Sequence, residues 1–212
     1  MTIPPVGLRE RKRLATRRAI HKAVLDLVEA KGYEQVTIEE ISHVADVSPR
    51  TFFNYFPSKE AAAIGDGPSL PPESELRTFI TAGPEQDLLS GLSELLGRAV
   101  ESAADDVELL GVRKRVLREY PQLFALRMAT MRSFEDDLSV VVARRLEHDD
   151  PALAADPVAL ADRSRLITLV AFGAMRHAWL SWADSQGSVS LADKLVGAFG
   201  QLSEILATVR PK

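Results

Sequence analysis

The chain has no cysteine among its 212 residues, which excludes disulfides, thiolate metal sites and cysteine nucleophiles. It also lacks any apolar run close to the roughly 18–20 residues that a bilayer-spanning helix requires. Behind Met1-Thr2-Ile3-Pro4-Pro5 the sequence turns basic rather than apolar, so it opens with no signal-peptide pattern, and the cytoplasm is the expected compartment. Histidine is scarce: His21, His43, His148 and His177 are scattered, with no pair at metal-ligand spacing. Glycine loops that cradle phosphate after a strand are missing, and so is a nucleophile elbow. The pairs Asp136-Asp137 and Asp149-Asp150 read as solvated surface. These absences argue against an enzyme, a metal or other cofactor, and a membrane partner.

What is present is helical periodicity. Apolar residues recur at spacings of three and four nearly everywhere, and the breaks are clusters of Pro, Gly and Asp, so the expected fold class is all-α. The clearest break, Gly65-Asp66-Gly67-Pro68-Ser69-Leu70-Pro71-Pro72, divides an N-terminal domain, 1–64, from a longer helical body, 65–212. Charge divides in the same way. The net charge is −4, yet residues 1–60 carry 10 Lys and Arg against 8 acids. Arg9, Arg11, Lys12, Arg13, Arg17, Arg18 and Lys22 crowd one stretch, and a basic end on an acidic body suggests a nucleic-acid contact confined to that end.

The N-terminal domain reads as short, well-capped helices. The first spans about Arg9 to Lys31, buries Ile20, Ala23, Val24, Leu27 and Val28, and stops at Gly32. Thr37-Ile38-Glu39-Glu40 is a capping box opening a second helix, with Ile38, Ile41 and Ala45 on one face. Asp46-Val47 forms a turn. Ser48 caps a third helix with Pro49 at its first position, and Ser58 starts a fourth. Two short helices across a tight turn form a helix-turn-helix, whose second helix enters the major groove of DNA.

The run from Thr37 through Glu60, TIEEISHVADVSPRTFFNYFPSKE, resembles the DNA-binding domain of the TetR family. Upstream, Thr16-Arg17, Ile20, Ala23, Leu27 and Gly32-Tyr33 fit the same spacing, so the resemblance covers about residues 10–63. It departs at Asp46, where the family often has Gly, and at Phe53, where it often has Tyr. The resemblance implies base-facing roles for Pro49, Arg50, Thr51 and Asn54, with Ser48 beside them. It implies phosphate contacts from Thr37, Tyr55 and Lys59, and an approach of Arg11 and Arg13, within Arg9–Arg18, to the DNA backbone. Phe52 and Phe56 read as core, and Phe53 divides evenly between packing and lying against the backbone of the DNA. The implied partners are double-stranded DNA with a palindromic operator and a second copy of the chain.

In the body, helices are expected at 75–104 (with an interruption at Gly83-Pro84), 107–119, 121–148, 157–185 and 190–209, a set similar to the family's ligand-binding and dimerisation domain. Leu195, Phe199, Leu202, Leu206 and Val209 form a coiled-coil-like seam. With Leu166, Leu169 and Val170 of the helix before it, they are the expected dimer interface. A ligand pocket is expected from Leu92, Leu96, Phe124, Met128, Met131, Phe134, Phe172, Met175 and Trp179, with Leu110 and Trp182 nearby. Arg127 and Arg176 could meet an anionic ligand group. The stretch Arg115–Leu146 loosely resembles the subgroup of acyl-CoA-like binders, so a small apolar or acyl-CoA-like effector that releases a repressor is expected. A ligand-responsive activator is the alternative, and a helical adaptor without DNA the more remote one.

Overall fold

The computed structural model describes the backbone of residues 7–102, 107–184 and 189–209, and no strand occurs among them. Eleven α-helices are described: α1 Leu8–Lys31, α2 Ile38–Val44, α3 Pro49–Tyr55, α4 Lys59–Ile64, α5 Glu73–Ile80, α6 Leu88–Ser102, α7 Val107–Glu119, α8 Pro121–Asp149, α9 Pro151–Ala154, α10 Pro157–Asp184 and α11 Leu191–Val209. None of them is long and apolar enough to cross a membrane. The chain is all-α, as the periodicity predicts.

The helix boundaries follow from local chemistry. Gly32, at φ +86°, ends α1 by returning its N–H to the Val28 carbonyl. Thr37 accepts from the Glu40 N–H, and the Glu40 carboxylate accepts from the Thr37 N–H, the reciprocal capping box that the sequence spells. Ser48 accepts from the Thr51 N–H ahead of Pro49. Asp46, at φ +53°, is the only non-glycine residue with positive φ among those described. An aspartate can hold this left-handed turn, since its short polar side chain is tolerated there.

Glu40 also accepts from the Lys31 ammonium, tying α2 to α1. That bond, with the two from Thr37, holds the Glu40 carboxyl down to about 2, from an ordinary 4.5. A carboxyl depressed in the folded state contributes stability that is complete above about pH 4.5 and is lost as pH falls toward 2. Acid titration followed by amide exchange in α2 should therefore show loosening across that window. Glu40→Gln should remove this part of the acid response; an unchanged profile would refute the assignment.

The described helices fall into two compact units, residues 1–66 with 105–128, and 67–104 with 129–212. The first unit thus holds more than the stretch before the Gly65–Pro72 break. Its core joins Ile20, Val24, Leu25, Ile41, Phe52 and Phe56 to Leu109, Val112 and Val116 of α7 and Leu123 of α8. The core of the second unit is built from Leu92, Leu96, Phe134, Leu138, Val142, Ala171, Leu195 and Phe199, among others. The helix expected at 75–104 is two helices, because the chain turns at Gly83 with φ +81°.

Candidate nucleic-acid interface

Helix α3 is two turns long and divides cleanly by face. Phe52 is fully buried and Phe56, just past its end, nearly so. On the other side Pro49, Arg50 and Asn54 are exposed and Thr51 is half-buried. Arg50 and Asn54 have no hydrogen-bond or ion-pair partner among the described residues, so their polar groups are available to an external surface. Phe53 is 54% exposed, its ring edge-on to Phe52 at 5.5 Å. Of the two roles weighed for it, packing into the core is not the one observed. Tyr55 is half-buried against the core.

Arg11 and Arg13 lie exposed on α1, within about one helical turn of Arg9, where the basic stretch begins. The Thr37 and Ser48 hydroxyls cap α2 and α3, and Ser48 also hydrogen-bonds the Thr51 hydroxyl at 2.8 Å. Lys59 is placed differently from the expectation of a phosphate contact. Its ammonium donates to the carbonyls of Tyr33 and Val36, each at 3.2 Å, and lies 4.3 Å from the centre of the Tyr33 ring. The correction has a simple cause: the start of α4 passes over the 3-10 turn Tyr33–Gln35, whose carbonyls attract the nearest cation. Beside it, the Tyr33 hydroxyl donates to Glu60. Burial first, then that carboxylate, push the Tyr33 phenol above its ordinary range. Lys59→Ala should lower thermal stability by about 1–2 kcal/mol. It should leave the salt slope of DNA binding intact, whereas a lost phosphate contact would reduce that slope by about 0.9.

Arg17 lies within the Arg9–Arg18 stretch expected to approach DNA. Its side chain turns inward, donating to the Tyr55 carbonyl and pairing with Asp66. A reach across 38 and 49 residues leaves no local sequence signal.

In the second unit, the expected pocket residues divide. Leu92, Leu96, Phe134 and Met175 are core, with Met131 and Phe172 packed against them; Phe134 and Phe172 stack at a tilt, 5.7 Å apart. Trp179 is half-buried and Trp182 buried, while Arg176 is exposed. Phe124 and Met128 correct the expectation: both are exposed and belong to the first unit, since α8 begins there. Arg127 donates to the Asp66 carbonyl rather than standing free for a ligand. The Leu110 and Val209 side chains lie outside the described residues.

The expected seam is corrected in the same way. Leu195 and Phe199 are interior, at 1% and 2% exposure, because α11 packs that stripe against α6 and α10 of its own unit. Leu166, Leu169 and Leu206 are exposed, and Val170 and Leu202 half-buried. Val170, Leu202 and Ile205, the last also exposed, line an open groove of about 410 Å³ between α10 and α11 together with Gly173, Ala174, His177, Ala198 and Gln201.

Residues 20–61 match the family model described as bacterial regulatory proteins, tetR family. The chain is 31% identical over 150 residues to the HTH-type transcriptional regulator TcmR of Streptomyces glaucescens, over 66% of this chain and 64% of that relative's length. It is 28% identical over 193 residues to the mycofactocin biosynthesis transcriptional regulator MftR of Mycobacterium tuberculosis, over 89% of this chain and 90% of the relative. A crystal structure of a TetR-family transcriptional regulator from Mesorhizobium loti is 21% identical, covering 91% of this chain and 96% of that one, with a TM-score of 0.41.

Proposed function

Since the chain belongs to the TetR family of bacterial regulatory proteins, we propose that it is a repressor that binds a palindromic operator as a homodimer and is released by a small apolar ligand. The observation that carries the DNA-binding part is the division of α3, with Phe52 anchored in the core and Arg50 and Asn54 exposed on the other face without a polar partner among the described residues. An arginine can meet guanine O6 and N7 bidentately, and an asparagine an adenine edge. Thr51 and Pro49 flank them, and the exposed Arg11 and Arg13 supply phosphate contacts that fix register rather than sequence.

The same logic of faces supports the homodimer. Leu166 and Leu169 of α10 and Ile205 and Leu206 of α11 expose apolar surface, Ile205 within the α10/α11 groove, and a two-fold interface would cover one such face with another. The two copies of α3 would then stand about 34–36 Å apart, one turn of DNA, or a multiple of it. A ligand that prefers a different spacing lowers operator affinity by its differential affinity for the two states. The loose resemblance of Arg115–Leu146 to acyl-CoA-like binders makes a fatty acyl group the leading ligand class.

The test is selection of binding sites from a random duplex pool with the purified chain, followed by sedimentation with and without the selected site. Enrichment of a palindrome bound by a dimer supports the reading. A pool that yields no preferred sequence overturns it. Melting shifts against acyl-CoAs of graded chain length test the ligand class, and no stabilisation at any length removes it.

A further inference from the structure

We propose that Arg17 is a positioning residue for DNA reading: it sets the pitch of α3 by gripping the end of that helix and Asp66 at the same time. The inference rests on the reading that α3 contacts DNA. The last carbonyls of a helix lack intrahelical partners, and a cation placed there is favourable. Arg17 supplies that cation, donating Nη1 to the carbonyl of Tyr55, the last residue of α3. Its guanidinium also lies 4.1 Å from the centre of the Phe56 ring. The remaining edge of the fork, Nε and Nη2, is bidentate on the Asp66 carboxylate, just beyond α4.

Asp66 is itself held. Its backbone carbonyl accepts from Arg127 Nη1 at 2.9 Å. One residue earlier, Gly65 takes φ +67°, and a Cβ there would stand 2.8 Å from the buried His21 ring. His21 Nδ1 in turn hydrogen-bonds the Ala62 carbonyl at 2.6 Å. The exit of α4 is thus fixed to α1, and Arg17 uses that fixed point to hold α3. The other end of α3 is pinned by the Ser48 cap. A two-turn helix secured at both ends presents Arg50 and Asn54 at one angle, and arginine is needed because its planar fork meets the carboxylate bidentately while still donating to the carbonyl, a geometry that a compact ammonium does not reproduce.

Asp66→Asn separates positioning from simple electrostatics by its sign. Removing an acid from a DNA-binding unit tightens DNA binding if charge alone matters. The positioning role predicts the opposite on the selected operator: about 5–20-fold weaker binding, with affinity for random duplex unchanged or slightly higher. Arg17→Lys, which keeps the charge, should behave like Asp66→Asn, whereas a phosphate-contacting arginine would be largely rescued by lysine. Amide exchange in the DNA-free protein should quicken in Tyr55 to Asp66 for both variants while their melting temperatures show that the chain stays folded. Operator binding that tightens or holds in Asp66→Asn, or exchange that matches the wild type, overturns the proposal. If the wild type prefers no sequence, the DNA-binding reading has failed, and the exchange measurement alone decides whether Arg17 holds α3.

Discussion

Arg145→Met should destabilise the second unit by about 3–5 kcal/mol, the loss expected when one partner of a buried ion pair is removed. Arg145 is completely buried, and each part of its guanidinium is committed. Nε donates to Asp149 at 2.5 Å, Nη1 to the Phe79 carbonyl at 2.7 Å, and Nη2 to the carbonyls of Gly83 and Gln86 at 2.5 and 3.0 Å. Methionine fills most of the volume but offers no donor. Three carbonyls and a carboxylate, whose Oδ1 already lacks a hydrogen-bond partner among the described residues, would then stay desolvated without compensation. Asp149→Asn, which keeps an acceptor opposite Nε, should cost far less. Denaturant unfolding, with amide exchange resolved across α5 and α6, measures both. A loss below about 1 kcal/mol for Arg145→Met would mean that water reaches the carbonyls when the arginine goes.

That site shows where sequence reading stops. Gly83-Pro84 announces a break, because glycine supplies the positive φ and proline resists helix, but the residue that holds the break lies some 60 positions away. The Thr37–Glu40 capping box, the Ser48 cap, the Asp46 turn and the inward Phe52 are legible for the opposite reason: each is decided within one or two turns of chain. Helical periodicity shows that Leu195 and Phe199 belong to a buried stripe without showing what buries them. The stripe faces α6 and α10, so the partner that the seam pattern implies lies in the helix's own unit. Leu109, Val112 and Val116 carry the same ambiguity. Their spacing suits any helical core, and only the fold assigns them to the first unit. Lys59 and Arg17 depart from the expected approach to DNA because a long cation goes to whichever acceptors the tertiary structure brings within reach.

Arg50→Ala should leave the fold nearly unchanged and weaken operator binding severely. The side chain is exposed and makes no internal hydrogen bond or ion pair among the described residues, so its removal should change stability by no more than about 0.5 kcal/mol. A bidentate arginine–guanine contact is worth about 1–3 kcal/mol of discrimination. A symmetric dimer on a palindrome loses that contact in both half-sites, so the full operator should lose about 2–6 kcal/mol. Random duplex should weaken far less, because its binding depends on phosphates that other side chains meet. The loss should also be confined to particular base pairs. An operator altered in one half-site at the position Arg50 reads should cost the wild type about half the effect and cost Arg50→Ala nothing further. Competition binding with the wild-type, half-altered and random duplexes at one salt concentration measures all three terms. Equal losses on operator and random DNA would convert Arg50 from a base reader into a phosphate contact, and Asn54 would then be the remaining candidate on α3 for direct readout.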